Sequence, residues 1–386
     1  MADAILRSLQ QLRFPECCLC ALDHLSKLIA QDMKNTGGQK APAMASINGL
    51  SMENIGHVID RYIFCMRENK SPTLSDFEVL QLLEIISSFF ERQSNAPVAQ
   101  VLFRFLFNHN LRSEQDFCLR VFCRLVSFAV ATSSKCCLDY AADLAQMEGC
   151  ISTPVVKVMQ TLVNDYCDEL ATEASSLLRN LPKLSTQFTC AFVTTISATY
   201  HCPGSTQLPT VSFQLLKILA HWIQEEPSLC LLSLLNREPH KALWTSPSKP
   251  NTQTAIPNLL AWSIKAPCMT SADAAQWNDV WSMLHLALLS CVLSFPSLPG
   301  ANQLELVTLA DMNRIVRDTL ADNPPAEERI NRLVQALQVC LTTGAFRCSL
   351  GDLRKICTSL PSNRLLELVS MQHLSTAPPQ MHNVSS

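Results

Sequence analysis

Cys17, Cys20 and His24 come nearest to a chemical grouping in this chain. At i, i+3 and i+7 they share one helical face, and two thiolates with an imidazole suit zinc. A zinc site needs three or four ligands, and none nearby supplies the fourth. Pro15 also blurs where that helix begins. The plainer account is a core face that uses cysteine as a small hydrophobe, so no metal and no cofactor is assigned.

Asp165, Asp168 and Glu169 form the other cluster. Asp165 and Asp168 can share a helical face, and paired carboxylates can bind metal or move protons. No histidine or further ligand lies near in sequence, so a solvated helix end accounts for them better. No phosphate-cradling glycine loop, GxSxG or HExxH occurs. No catalytic residue is therefore named. Lys and Arg are dispersed and never form a run, and the net charge is −3, which argues against direct nucleic-acid binding.

The composition belongs to packed helices. The chain has 9 glycines in 386 residues, far below the usual ~7%. Few positions can then require positive φ, which disfavours β-hairpin folds. Charged residues are 16% and hydrophobic ones 48%. Such an apolar inventory implies either a large core or apolar surface that a permanent partner covers. The 18 cysteines are scattered, often at apolar positions such as Cys123, Cys190, Cys230, Cys291 and Cys340. Cys118 with Cys123, and Cys136 with Cys137, lack CxxC spacing. Reduced, buried thiols in an intracellular chain are the expectation. The amphipathic, charged start MADAILRSLQQLR does not read as a signal peptide.

Breakers and periodicity predict helices near 51–68, 75–93, 97–108, 113–133, 135–147, 153–169, 172–181, 184–200, 210–225, 227–236, 257–265, 275–294 and 301–321. Ser75 and Glu78 form a capping box, with Phe77, Leu80, Leu83, Ile86 and Phe90 expected on the buried side. Val280 to Leu304 carries no charged residue, but Ser282, His285, Ser290 and Pro296 interrupt it. A buried helix is expected there rather than a membrane span. The segments divide as 1–50, an N-terminal helix and flexible linker; 51–236, a first helical lobe; 237–257, a loop; 258–371, a second lobe; and 372–386, a disordered tail. The fold class is all-α, an irregular α-solenoid or HEAT-like array. Inside the 237–257 loop, Trp244 either folds back or anchors a partner. Ser246-Pro247 suits a proline-directed kinase.

The C-terminal layer is the most informative stretch. Asp322-Asn323-Pro324 suits a helix start, and Ile330, Leu333, Val334, Leu337 and Leu341 mark one face. Gly344 suits the left-handed cap, Ser349 and Asp352 suit the next start, and Pro361 suits the third. Leu333, Leu337 and Leu365 read as core. The block RLVQALQVCLTTGAFRCSLGDLRKICTSLPSNRLLELV, Arg332 to Val369, resembles the C-terminal segment of the Integrator complex subunit 15 family. LQLLEIISSFFERQ (Leu80 to Gln93), TPVVKVMQTLVNDYC (Thr153 to Cys167), FVTTISATY (Phe192 to Tyr200), IKAPC (Ile264 to Cys268) and MLHLALLSCVL (Met283 to Leu293) resemble it in the same order. The first 70 residues resemble it only loosely.

That resemblance implies a non-catalytic scaffold in the nuclear Integrator complex. The complex is associated with RNA polymerase II, small nuclear RNA 3′-end processing and transcription attenuation. Its arm-module subunits ten, thirteen and fourteen are the implied partners, and the subunit is implied to bridge that module to the rest. The residues alone leave open a second reading, a free-standing helical adaptor for peptides.

Overall fold

The computed structural model describes residues 7–35, 46–47, 50–69, 71–108, 117–169, 175–200, 211–231, 255–265, 274–298, 300–321 and 326–374. These are helical throughout apart from connecting turns and one antiparallel pairing of Ser46–Ile47 with Leu50–Ser51. That pairing falls within the segment expected to be a linker. Trp244 and Ser246 lie outside the described residues.

Residue contacts divide into two compact units, the first running to Ile196 and the second beginning at Ser197. The first contains α1 (Glu16–Asn35), α2 (Met52–Val58, continued by a π-helical turn Ile59–Ile63), α3 (Asp76–Arg92) and α4 (Ala96–Asn108). It continues with α5 (Phe117–Thr132), α6 (Lys135–Glu148) and α7 (Thr153–Val163, extended by a π turn to Glu169). Two short turns, Ser175–Arg179 and Leu181–Leu184, precede α8 (Thr186–Tyr200), whose last four residues are assigned to the second unit. The capping box of α3 is made: Ser75 Oγ accepts from Glu78 N at 3.4 Å, and Ser75 N donates to Glu78 Oε2 at 2.8 Å. Its buried face differs from the expected one. Val79, Leu82, Leu83, Ile86, Phe89 and Phe90 face inward, whereas Phe77 is 68% and Leu80 57% exposed. Both lie on the outer side of the first turn, outside the arc that the core covers. The rings of Phe64, Phe90, Phe103, Phe107, Phe122 and Tyr140 form the centre of this unit.

The second unit holds α9 (Phe213–Glu225), α10 (Ala255–Lys265), α11 (Ala274–Ser294), α12 (Leu309–Leu320), α13 (Glu327–Thr343), α14 (Leu350–Ser359) and α15 (Arg364–Leu374). The long α11 packs on α9, α10 and α13. The division by contact precedes the expected 237–257 loop because α9 buries Leu215, Leu216, Leu219 and Ile223 within this unit, and Phe213 meets Trp277 of α11 edge-to-face. The helix expected at 301–321 is shorter. Leu306 and Val307 donate to Ala345 O, both at 3.0 Å, and hold that stretch extended until Thr308 and Asp311 cap α12. Gly344 ends α13 at φ +71°, where a Cβ would be strained. Ser349 accepts from Asp352 N at 3.1 Å and starts α14. Leu333 and Leu337 are buried as expected, while Leu365 is half-buried and Leu366 and Val369 take the inward positions of α15. Helix α15 continues to Leu374, so the first residues of the expected tail are helical.

Candidate functional site

The three residues of the possible zinc face do not converge on a point. Cys17 is buried, with Sγ 3.4 Å from Tyr62 O across α2, while Cys20 and His24 are half-buried. Among the described residues no group of three or more His, Cys, Asp or Glu could hold a metal ion. Asp165 accepts from Ser127 Oγ at 2.6 Å, Tyr166 Oη donates to Ser127 O at 2.7 Å, and Asp168 is exposed. The acidic cluster thus ties α7 to α5, and Asp165 is engaged in that tie. The described cysteines form no disulfide.

The second unit contains a buried polar cluster that the sequence reading did not single out. Arg332 of α13 donates from Nη1 to Ser263 O at 2.9 Å, and from Nη2 to Ser282 Oγ at 3.0 Å and Glu328 Oε1 at 2.6 Å. Arg329, one turn earlier, donates to Lys265 O at 2.8 Å. Two buried guanidinium groups therefore satisfy carbonyls in the last turn of α10, where helical partners run out and the helix dipole is negative. His285 of α11 sits beside them, its Nδ1 3.2 Å from Ser263 Oγ.

A serine–histidine contact invites a nucleophile-and-base reading, and the surroundings oppose it. Ser263 is fully buried and its hydroxyl donates to Leu260 O at 3.0 Å. Burial, then the charge of Arg332, hold His285 down to about 4, with a hydrogen bond to Gln335 opposing. An imidazole this weak and enclosed is a poor base at neutral pH. It is a structural group that must stay neutral. The native His285 binds its proton less readily than its ordinary 6.5, so stability should be full above pH 6.5 and fall as the pH drops through about 4. The shift corresponds to a loss of about 3 kcal/mol. Urea unfolding between neutral pH and pH 4 should show this slope, and His285→Asn should flatten it.

The outer side of α11 presents Gln276 and Asp279 in its first turns and a mostly apolar stripe beyond them. Met283, Leu286 and Leu293 are exposed, Leu286 by 63%, and with Ser290 they follow a 3-4-3 spacing. That is the seam spacing through which one helix receives another. Gln276–Ser297 is long and apolar enough to cross a membrane, with half of its most apolar window buried. Trp281, Leu284, His285, Leu288, Cys291 and Val292 take up its inner side.

Known proteins resolve what kind of chain this is. A family model described as Integrator complex subunit 15 matches residues 3–362. The chain belongs to the Integrator complex subunit 15 family. Relatives named Integrator complex subunit 15 include one from Danio rerio, 31% identical across 93% of this chain and 78% of that protein. Others come from Mus musculus, 31% identical over 81% of this chain and 76% of the relative, and Homo sapiens, 30% identical over the same shares. The family match begins at residue 3, so it takes in the N-terminal residues that resembled the family only loosely. Arg329, Arg332, Ser263 and His285 all fall inside it.

Proposed function

We propose that this chain is a non-catalytic scaffold subunit of the nuclear Integrator complex and bridges the arm module, with subunits ten, thirteen and fourteen, to the rest of the assembly. Family membership carries the reading. The succession of helices in both units supports an irregular, HEAT-like α-solenoid. The apolar seam of α11 supports a helical partner surface: Met283, Leu286 and Leu293 lie where a partner can bury them. Trp244 is proposed as a further partner anchor. The burial of α11's inner side and the polar contacts of Ser282 and His285 favour a protein setting over a bilayer. The dispersed basic residues favour protein partners over nucleic acid.

Affinity purification of the tagged chain from nuclear extract at raised salt tests the proposal. Near-stoichiometric recovery of Integrator subunits, with arm subunits strongest, is expected. Recovery of the chain alone, or of a changing set of substoichiometric clients, would replace the scaffold reading with the peptide adaptor. The double variant Leu286→Asp, Leu293→Asp should cut partner recovery at least tenfold, since a buried anchor contributes about 2 kcal/mol or more. Its own melting temperature should stay close to wild type, because both side chains are exposed in the isolated chain.

A further inference from the structure

Cys17 and Cys65, distant in sequence, meet at one carbonyl. Cys17 Sγ lies 3.4 Å and Cys65 Sγ 3.9 Å from Tyr62 O. Both thiols line a cleft of about 740 Å³ between the start of α1 and the turn that follows the π-helical segment. Cys65 takes φ +50° without being glycine, a conformation that costs energy and is found mostly where surrounding structure enforces it. Thr73 enforces it here, donating to Cys65 O from its hydroxyl at 2.6 Å and its backbone N at 3.1 Å. Arg13, Arg61 and Arg67 line the same cleft with Glu68 and Glu78, and the carboxylate of Glu78 is engaged by Ser75. Three guanidinium groups against two carboxylates leave the lining with a net charge of +1, which favours an anionic visitor.

The other buried thiols contrast with Cys17, and Cys65 is itself pushed up, by its hydrogen bond to Cys17 and then by burial. Burial pushes Cys137 up to about 11 and Cys167 and Cys340 up to about 12. Cys17 moves the other way, because the Cys65 thiol hydrogen-bonds to its sulfur and outweighs the burial. The thiolate is the reactive form of cysteine.

We propose that Cys17 and Cys65 form a redox modification site that takes an anionic low-molecular-weight disulfide of the glutathione disulfide class and closes to an intramolecular disulfide. Cys17 loses its proton to solvent and attacks one sulfur of the small disulfide. The small-molecule S–S bond breaks, and one small thiolate leaves and takes up a proton. Cys65 then attacks the Cys17 sulfur of the mixed disulfide, releases its own proton, and expels the second small thiol. Two protein thiols are oxidised to one disulfide and the small disulfide is reduced to two thiols, so no further oxidant is needed. The new bond ties α1 to the turn after the π-helical segment. This site is independent of the scaffold reading.

Titrating the full-length chain with glutathione disulfide, blocking residual thiols by alkylation, and mapping tryptic peptides by mass spectrometry tests the site. Cleavage after Arg13, Lys27, Arg61 and Arg67 places Cys17 in residues 14–27, together with Cys18 and Cys20, and Cys65 alone in residues 62–67. The expected result is a reducible cross-link, placed on Cys17 and Cys65 by fragmentation, that forms before Cys136 or Cys348 is modified. In Cys65→Ser, Cys17 should instead retain a single glutathione adduct. Cys17 and Cys65 that stay reduced in the wild type while Cys20, Cys136 and Cys348 take up glutathione would overturn the proposal. So would a cross-link from Cys65 to Cys18 or Cys20. The wild-type mapping decides the matter even where a variant folds poorly.

Discussion

Arg332→Ala should lose about 3–5 kcal/mol of stability, the cost of removing one member of a buried charged network. Only 5% of Arg332 is exposed, and its guanidinium joins Ser263 O of α10, Ser282 of α11 and Glu328 of its own helix. The Glu328 carboxylate is half-exposed, so that ion pair supplies the smaller part. The larger part is the Ser263 carbonyl, left buried and unpaired in the last turn of α10. Arg332→Lys should restore little, because one ammonium cannot reproduce a planar fork that serves two helices at once. Arg354→Ala, at an exposed position of α14, should change stability by about 0.5 kcal/mol or less. Equilibrium denaturation of the three variants ranks them. An Arg332→Ala midpoint equal to that of Arg354→Ala would mean that the cluster does not hold the three helices together. Arg332 also helps keep His285 neutral, so removing it should weaken the acid sensitivity described above.

The helices were legible because their determinants are local. Ser75 with Glu78, Ser349 with Asp352, and Gly344 each act within a few residues, and the structure uses each at the expected place. The failures are where distant chain intervenes. Leu304 to Thr308 continues an acceptable helical pattern, but the amides of Leu306 and Val307 find Ala345 O, and the helix waits for Thr308. Phe77 and Leu80 fit an apolar periodicity, yet nothing in the pattern says how far the neighbouring helices reach along that face.

The polar cluster was not legible for a related reason. Arg329 and Arg332 interrupt an apolar stripe and read as solvated positions of an amphipathic helix. Their burial depends on carbonyls more than sixty residues away, at the end of another helix. The one available signal was two arginines three residues apart beside Ile330 and Leu333, on a face otherwise read as core. The Cys17–Cys65 meeting was equally hidden. The sequence offered Cys20 and His24 as companions for Cys17, because helical spacing is visible, whereas the turn that carries Cys65 to Tyr62 O is not. Family likeness was carried by long apolar blocks in a fixed order, which record packing and identify no reacting group.

Phe103→Ala should cost about 3–5 kcal/mol, and its comparison with Phe77→Ala separates packing from pattern. Phe103 is fully buried on α4, with ring centroids 5.2 Å from Phe90, 4.9 Å from Phe107, 6.1 Å from Phe122 and 5.7 Å from Tyr140. It therefore touches α3, α5 and α6 through one side chain, and truncation opens a cavity that four rigid helices cannot readily close. Edge-to-face and tilted ring pairs contribute about 0.5–1.5 kcal/mol beyond the area they bury. Phe103→Leu should accordingly fall between wild type and alanine, because it fills part of the volume without the ring contacts. Phe77, expected on the buried stripe of α3 by sequence, is mostly in solvent, and its removal should change stability by about 0.5 kcal/mol or less. Thermal unfolding at neutral pH reads both. Equal losses at the two positions would place Phe77 in a packed environment and refute the exposed first turn of α3, whereas a large loss at Phe103 alone locates the centre of the first unit at the junction of α3, α4, α5 and α6.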